Sequence, residues 1–443
     1  MAGLMNNYFY GKAGKGDYTV DQMPTTRKQL FFTTLRVRFS SMVGLNLLHV
    51  LFLLPMIIWL FINYQTLTMY ATDDAYKLGG EEMKAAYEVY SEKYDLYSAI
   101  QNEATDTAEL NYELDDVNDK IAQVEAGKTI MVKEAPVVEG GEETERPATL
   151  EELTKQKEDL LAKLAKQQEY RDYAADEAFM DTLKGEYQEA AQTYNSYRRS
   201  ALLSNISMML LVMIPLMGLA GIGSTGQMYI LRNWARDEHA FMWQDYKASI
   251  KTNWKQGLVV GLLNGLSLFL AYIAYVFYGD MASSRGMFFV IPQMLMVVLL
   301  IVWWMINEII FPMMVTYDMK LSQLIRNSAI MVVARLPISL LILLGSLVIP
   351  VALAFFVPYP QISMLILVLL YGLIGFSLTG FVYASYANDL FDRYLNPRIE
   401  GAEVGKGLHR VDDDEDDEEE TKPAEATDAE KAENEHFWEH KSR

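Results

Sequence analysis

"LNLLHVLFLLPMIIWLFINY", residues 45–64, decides the fold, because it contains no Asp, Glu, Lys or Arg. A helix needs about 20 predominantly apolar residues to cross a hydrocarbon core of about 30 Å. Comparable blocks recur along the chain, and six are long enough: 42–63, 201–222, 257–278, 287–313, 336–357 and 363–386. Aromatic residues gather at several ends, as at Trp59, Tyr272 to Tyr278 and Tyr383, where an interface belt would place them. The sequence therefore predicts an all-α, polytopic membrane protein with six transmembrane helices.

Whole-chain averages conceal this organisation. The 443 residues are 51% apolar yet carry a formal charge of −20, because acids concentrate in two polar regions between and after the apolar blocks. With no cysteine, disulfides and thiolate metal sites are excluded. The first block follows a polar segment and lacks a small-residue cleavage site, so it reads as a retained anchor.

Orientation follows from the basic residues of the short loops. Lys12, Lys15, Arg27, Lys28, Arg36 and Arg38 precede the first block. Arg232, Arg236, Lys247, Lys251 and Lys255 lie in loop 223–256, and Lys320, Arg326 and Arg335 in loop 314–335. Loop 279–286 has only Arg285 as a cation, and loop 358–362 has none. The expected organisation is a cytoplasmic N-terminal segment with an interfacial helix at 1–41, a first span at 42–63 and an extracytoplasmic helical hairpin at 64–200. A five-helix transmembrane domain at 201–395 and a cytoplasmic tail at 396–443 complete it. Both termini are cytoplasmic in this topology, at the plasma membrane.

Within 64–200, apolar residues recur every three or four positions. Tyr87, Tyr90, Tyr94 and Tyr97 make one seam; Leu110, Leu114, Val117, Ile121 and Val124 make another. The second arm carries Leu150, Leu153, Leu160 and Leu164, then Met180, Leu183, Tyr187, Tyr194 and Tyr197. Glycine and proline in "AGKTIMVKEAPVVEGGEETERPA" stop helices, and Thr149 with Glu152 forms a capping box that restarts one. The expected form is an antiparallel coiled coil in which Val124 meets Leu150 and Tyr87 meets Tyr187. The tyrosines read either as filling of a wide seam or as a ligand surface.

After Asn396-Pro397 the chain becomes "VDDDEDDEEETKPAEATDAEKAENEHFWEHKSR", an acidic run read as a disordered tail. Segments entering the odd-numbered spans share apolar residues at helical spacing with Arg or Lys, consistent with three parallel repeats or with common membrane demands.

Among polar residues in the spans, Glu308 in "WWMINEIIFPMM" stands out. It reads as a partner for Arg335, Arg232 or Arg236, or alternatively as a relay or substrate contact. Asn46, His49 and Asn264 read as cross-helix hydrogen-bonding residues. Pro55, Pro215, Pro292 and Pro350 are positioned to kink spans. No nucleotide-binding, nucleophile-elbow or zinc-protease motif occurs, and "GIGSTG" at 221–226 reads as a turn or close helix packing. His239 lacks a second histidine or a cysteine at ligand spacing. The expectation is therefore no catalytic residue, no cofactor and no metal: the protein is not an enzyme and has no nucleic-acid partner.

The stretch "LRNWARDEHAFMWQDYKASIKTNWKQG", residues 231–257, places Trp243, Tyr246, Ile250 and Trp254 on one helical stripe, with Lys247, Lys251 and Lys255 beside it. That pattern predicts an interfacial anchor, its lysines meeting anionic headgroups. The same stretch resembles the hallmark loop of the YesL-like (DUF624) bacterial integral membrane family at Tyr229, Arg232, Arg236, Phe241, Asp245, Asn253, Lys255 and Gln256. "MNNYFYGKAGKGDYTVD" and "GLNLLHVLFLLP" resemble that family's opening and first span. The resemblance extends over about 1–60 and 205–390 and departs from the family at 64–200 and in the acidic tail. It implies a non-enzymatic accessory or scaffold protein associated with carbohydrate uptake systems and a protein partner in the membrane. The alternatives are a small-solute transporter or channel and a transmembrane sensor. Candidate functional residues are Arg232, Arg236, Asp245, Asn253, Lys255 and Glu308.

Overall fold

The computed structural model describes residues 24–134, 144–356 and 359–409; residues 1–23 and the acidic run from 410 onward lie outside them. The described residues are almost wholly helical. In order they form α1 (Arg27–Tyr70), α2 (Glu81–Glu125), α3 (Leu150–Ala175), α4 (Glu177–Trp234), α5 (Met242–Arg285) and α6 (Val290–Met314). The series continues with α7 (Leu321–Ala334), α8 (Leu336–Phe356), α9 (Pro360–Leu370) and α10 (Phe376–Tyr394). A short antiparallel ribbon, β1 (Met131–Glu134) with β2 (Thr144–Pro147), pairs Met131 with Pro147.

Six helices are long and apolar enough to cross a membrane: Arg27–Tyr70, Glu177–Trp234, Met242–Arg285, Met287–Met314, Leu336–Leu353 and Ile362–Arg398. These coincide with the six apolar blocks, and the protein is a multi-pass membrane protein. The basic segment expected as a separate interfacial helix before the first block is instead the opening of α1, since no helix breaker intervenes after Arg27.

The chain divides into two compact units, one made of Met1–Leu60 with Ser207–Arg443 and the other of Phe61–Ile206. The core of the first gathers Met42, Leu45, Leu231, Trp234, Ile309 and Phe381. Side chains such as Leu341, Val348 and Phe355 face outward and remain exposed, as lipid-facing positions should.

Glycines set the spacing of α4 and α5. A Cβ on Gly221 would collide with the Gly257 carbonyl, and one on Gly261 with the Met217 carbonyl. Small residues let backbones approach closely where lipid supplies no hydrophobic drive between helices. "GIGSTG" is therefore part of a helix and a packing surface.

The last span is interrupted by a π turn at Tyr371–Gly375. Such a bulge frees backbone groups that need partners, and buried Asn46 supplies them. Its amide donates to the Tyr371 and Gly372 carbonyls at 2.8 and 2.7 Å, and its oxygen accepts from the Ser377 amide at 2.8 Å.

Residues 396–409 differ from the tail expected there. They fold back: the His409 amide donates to the Pro24 carbonyl, the Gly405 amide to Asp392, and Lys406 pairs with Glu238. Arg27 also pairs with Asp392. The acidic run itself begins only after this strap.

In the second unit α2 packs along α3, burying Ile100, Val117, Leu153 and Leu160. Arg171 binds Glu103 at 2.7 Å and holds its carboxyl below the usual carboxylate range. Thr149 and Glu152 close the capping box, and Arg146 with that box holds the Glu152 carboxyl down to about 2. The tyrosine register departs from the expected one. Tyr87 packs against Tyr194, seven residues beyond Tyr187, while Tyr187 stacks with Tyr90 and Tyr97. The cause is Asp176: its backbone leaves the helical region, its side chain accepts from the Phe179 amide, and a new helix starts. A register set beyond that break does not carry across it.

Candidate functional site

A cavity of about 510 Å³ lies within the bundle unit and takes lining residues from all six spans. His49 comes from α1, Gln227 from α4, Asn264 from α5, Asn307 from α6, Ser346 from α8 and Tyr383 from α10. Polar side chains in a span are expensive and need partners, and most of these have one. Gln227 donates to Ser377 at 3.1 Å, Asn264 accepts from Trp303 at 2.9 Å, and Tyr383 donates to Ser346 at 3.1 Å. Asn46 and Asn264 bond across helices, as their isolation in apolar runs implies.

The remaining polar atoms are less complete. The His49 imidazole donates to the Gly223 carbonyl, leaving buried Nδ1 with no hydrogen-bond partner among the described residues. Asn307 donates to the Trp303 carbonyl at 2.9 Å and leaves Oδ1 in the same condition. Glu308 is 1% exposed, and neither carboxylate oxygen has a partner among the described residues.

The pairing of Glu308 with Arg335, Arg232 or Arg236 does not form. Arg335 donates to the Tyr394 hydroxyl at 3.2 Å. Arg232 and Arg236 both turn to Glu238, at 3.2 and 3.8 Å. The turn after α4, with Asp237 at φ 56°, brings Glu238 back toward the two arginines, so a local acid takes them. Lys406 joins the same carboxylate at 3.0 Å. Arg232 and Arg236 thus belong to a structural cluster, apart from the cavity.

A second concavity, of about 580 Å³, is lined by Tyr229, Asp245, Asn253, Lys255, Gln256 and Tyr317, among others. Asp245 accepts from the Phe241 amide at 2.8 Å and so caps α5, while Gln256 donates to the Met319 carbonyl at 2.9 Å. Burial pushes the Tyr317 hydroxyl up to about 12, and it donates to Asn396 at 2.6 Å. Asp245, Gln256 and Tyr317 are thus occupied in holding elements together, which leaves Asn253 and Lys255 as the freer contacts of the cleft.

The anchor stripe splits. Trp243 and Trp254 are exposed, with Lys247 and Lys255 over their rings at 4.9 and 5.7 Å, and Lys251 is exposed nearby. Tyr246 instead is buried against Gly226, and Ile250 packs against the core. A glycine on α4 admits the Tyr246 ring, so this residue is core and no anchor. His239 packs edge-on against Phe241. Among the described residues no group of three His, Cys, Asp or Glu is arranged to hold a metal.

Residues 201–275 match the family described as "Protein of unknown function, DUF624". The likeness spans 75 of the 443 residues. The segment holds the glycine contact between α4 and α5, the Arg232–Arg236 turn, and Gln227 and Asn264 of the cavity. It stops before Glu308. No curated protein and no solved structure matches the chain.

Sequence reasoning singles out His49, Asn264 and Glu308 but misses Gln227, Asn307, Ser346 and Tyr383. Gln227 falls in the stretch expected as loop 223–256, and the signal for the others is only a polar residue within an apolar block. Their convergence on one cavity depends on helix rotation, which apolar blocks do not encode.

Proposed function

We propose that the bundle unit binds a small solute within the membrane and moves it across, as a small-solute transporter or channel. The supporting observation is a largely apolar cavity to whose lining each of the six spans contributes at least one polar residue. A scaffold has no need for such a lining: hydrogen-bonding groups at bundle depth are costly and mark pathways and binding sites. Pro350, in the wall itself, lies inside continuous α8 and withholds a backbone donor from it, which loosens the helix beside the cavity. The topology proposed from the basic loops places both termini in the cytoplasm and residues 64–200 outside.

An accessory role is the second reading, and the hairpin unit favours it. Val89, Tyr94, Tyr112 and Leu161 are exposed along its arms, and a coiled coil with apolar outer positions suits a protein partner such as a carbohydrate-uptake system. The acidic tail and the headgroup-facing lysines add contacts at the inner surface.

Reconstitution of the full chain in liposomes, with a panel of charged and uncharged tracers, tests the main reading. Flux above empty liposomes is expected for at least one tracer, with loss in Ser224→Leu, which fills the cavity. Absence of flux from correctly inserted protein, together with stable crosslinked partners in the native membrane, overturns it in favour of the accessory role.

A further inference from the structure

The chemistry a ligand must have follows from how the cavity wall uses its polar groups. Most lining residues are apolar, among them Leu53, Met217, Met228, Phe311, Leu343 and Leu367. Among the described residues no aspartate, glutamate, lysine or arginine lines the space, and Glu308 lies off it. The polar residues of the lining are turned to one another or to backbone. Beyond the bonds of His49, Gln227, Asn264, Asn307 and Tyr383 given above, Ser224 donates to the Ala220 carbonyl at 3.0 Å and Ser346 to the Leu343 carbonyl at 2.7 Å. Tyr371 donates to the Ser346 carbonyl at 3.4 Å. The His49 and Asn307 atoms that lack partners are themselves buried and present nothing to the space.

That wall discriminates in two ways. A charged solute would leave water and meet no counter-ion, so its desolvation would stand uncompensated. A polyol such as a sugar would bring several hydroxyls to a wall whose own polar side chains are engaged, and each unpaired hydroxyl opposes binding. An uncharged apolar molecule gives up no hydrogen bond on entry and gains contact. Three lining methionines, Met56, Met217 and Met228, are unbranched and flexible, and they suit a range of shapes. A volume of about 510 Å³ falls among pockets that enclose small organic molecules.

We infer that the cavity takes a compact, uncharged and predominantly apolar organic molecule, and that ions and sugars are poor ligands. This rests on the solute-binding reading of the cavity and specifies its substrate class. The preference concerns equilibrium occupancy; an irreversible charged reagent can still be trapped there on a brief visit.

Photolabelling of the full chain in lipid nanodiscs with a trifluoromethyl-phenyldiazirine, itself small, uncharged and apolar, tests it. Adduct sites are mapped by mass spectrometry. Saturable adducts are expected on wall residues such as Met217, Met228 and Phe311. Cyclohexylmethanol should suppress them, whereas cyclohexylammonium, cyclohexanecarboxylate and glucose should not. Adducts on exposed, lipid-facing Leu341 and Phe355 should not saturate and provide the internal control. Ser224→Leu should lower wall labelling about tenfold and leave Leu341 labelling unchanged. Equal suppression by either charged competitor or by glucose overturns the apolar class and leaves solute binding in place, and undiminished wall labelling in Ser224→Leu overturns occupancy of this cavity. Wall adducts from a phospholipid carrying a diazirine in its acyl chain, undiminished by cyclohexylmethanol, assign the space to lipid tails and overturn the inference. Absence of saturable wall labelling overturns it as well, and the tracer flux of the whole chain then decides the broader reading separately.

Discussion

The bundle and hairpin units are both helical, but they fill their interiors by opposite means. In the hairpin, charged and aromatic groups along the seam find one another: Arg171 binds Glu103, and the tyrosines stack from Tyr76 through Tyr97. In the bundle, amides and hydroxyls bond between helices, yet Glu308 has no partner among the described residues. Water can solvate an imperfect pair at the surface of a hairpin, whereas lipid cannot. An unpartnered acid in the bundle is therefore the more informative feature.

The contrast breaks most sharply at the glycines. Gly261→Leu should abolish monodisperse, folded protein, because overpacking against the Met217 backbone exceeds the roughly 1–3 kcal/mol typical of a tolerant core. Size-exclusion profiles in detergent check this. Normal yield and an unchanged profile would mean that close approach of α4 and α5 is dispensable.

Tyr194→Ala should come next, at about 3 kcal/mol, since it removes a buried ring shared by Tyr87 and Tyr90. Hydrogen exchange should show loss of protection confined to the hairpin. Loss spread over the bundle as well would contradict the division into two units.

The smallest effect is the pH dependence of Glu103. Its folded-state pKa lies below the ordinary 4.5 because of Arg171, so its contribution is present above that value. It fades as pH falls through the lower folded-state value. Amide protection near Glu103 should therefore decline below about pH 4.5, and Glu103→Gln should flatten that decline. An identical acid response in the variant would assign it to other carboxylates.

Much of this architecture is legible in the amino-acid sequence. Twenty-residue apolar blocks leave a helix no alternative in lipid, and Thr149 with Glu152 announces a helix start. The register of the tyrosines is not legible beyond Asp176, since an aspartate that caps a new helix resembles any acid on an exposed face. Tyr246 shares its stripe with two exposed tryptophans, and only the facing Gly226 makes it core. Glu308 is visible as an anomaly, but its nearest arginines prefer an acid brought close by a turn with positive φ. The cavity itself depends on the rotation of six helices.

The chain has no cysteine, so single-cysteine labelling is unambiguous and tests the cavity most directly. Ser346→Cys faces it, whereas Leu341→Cys on the same helix points outward and is exposed. With a small, charged, membrane-impermeant thiol reagent applied to the full chain in liposomes, labelling of position 346 and protection of position 341 by lipid are predicted. Labelling at 341 with none at 346 would contradict a solute-accessible cavity within the spans.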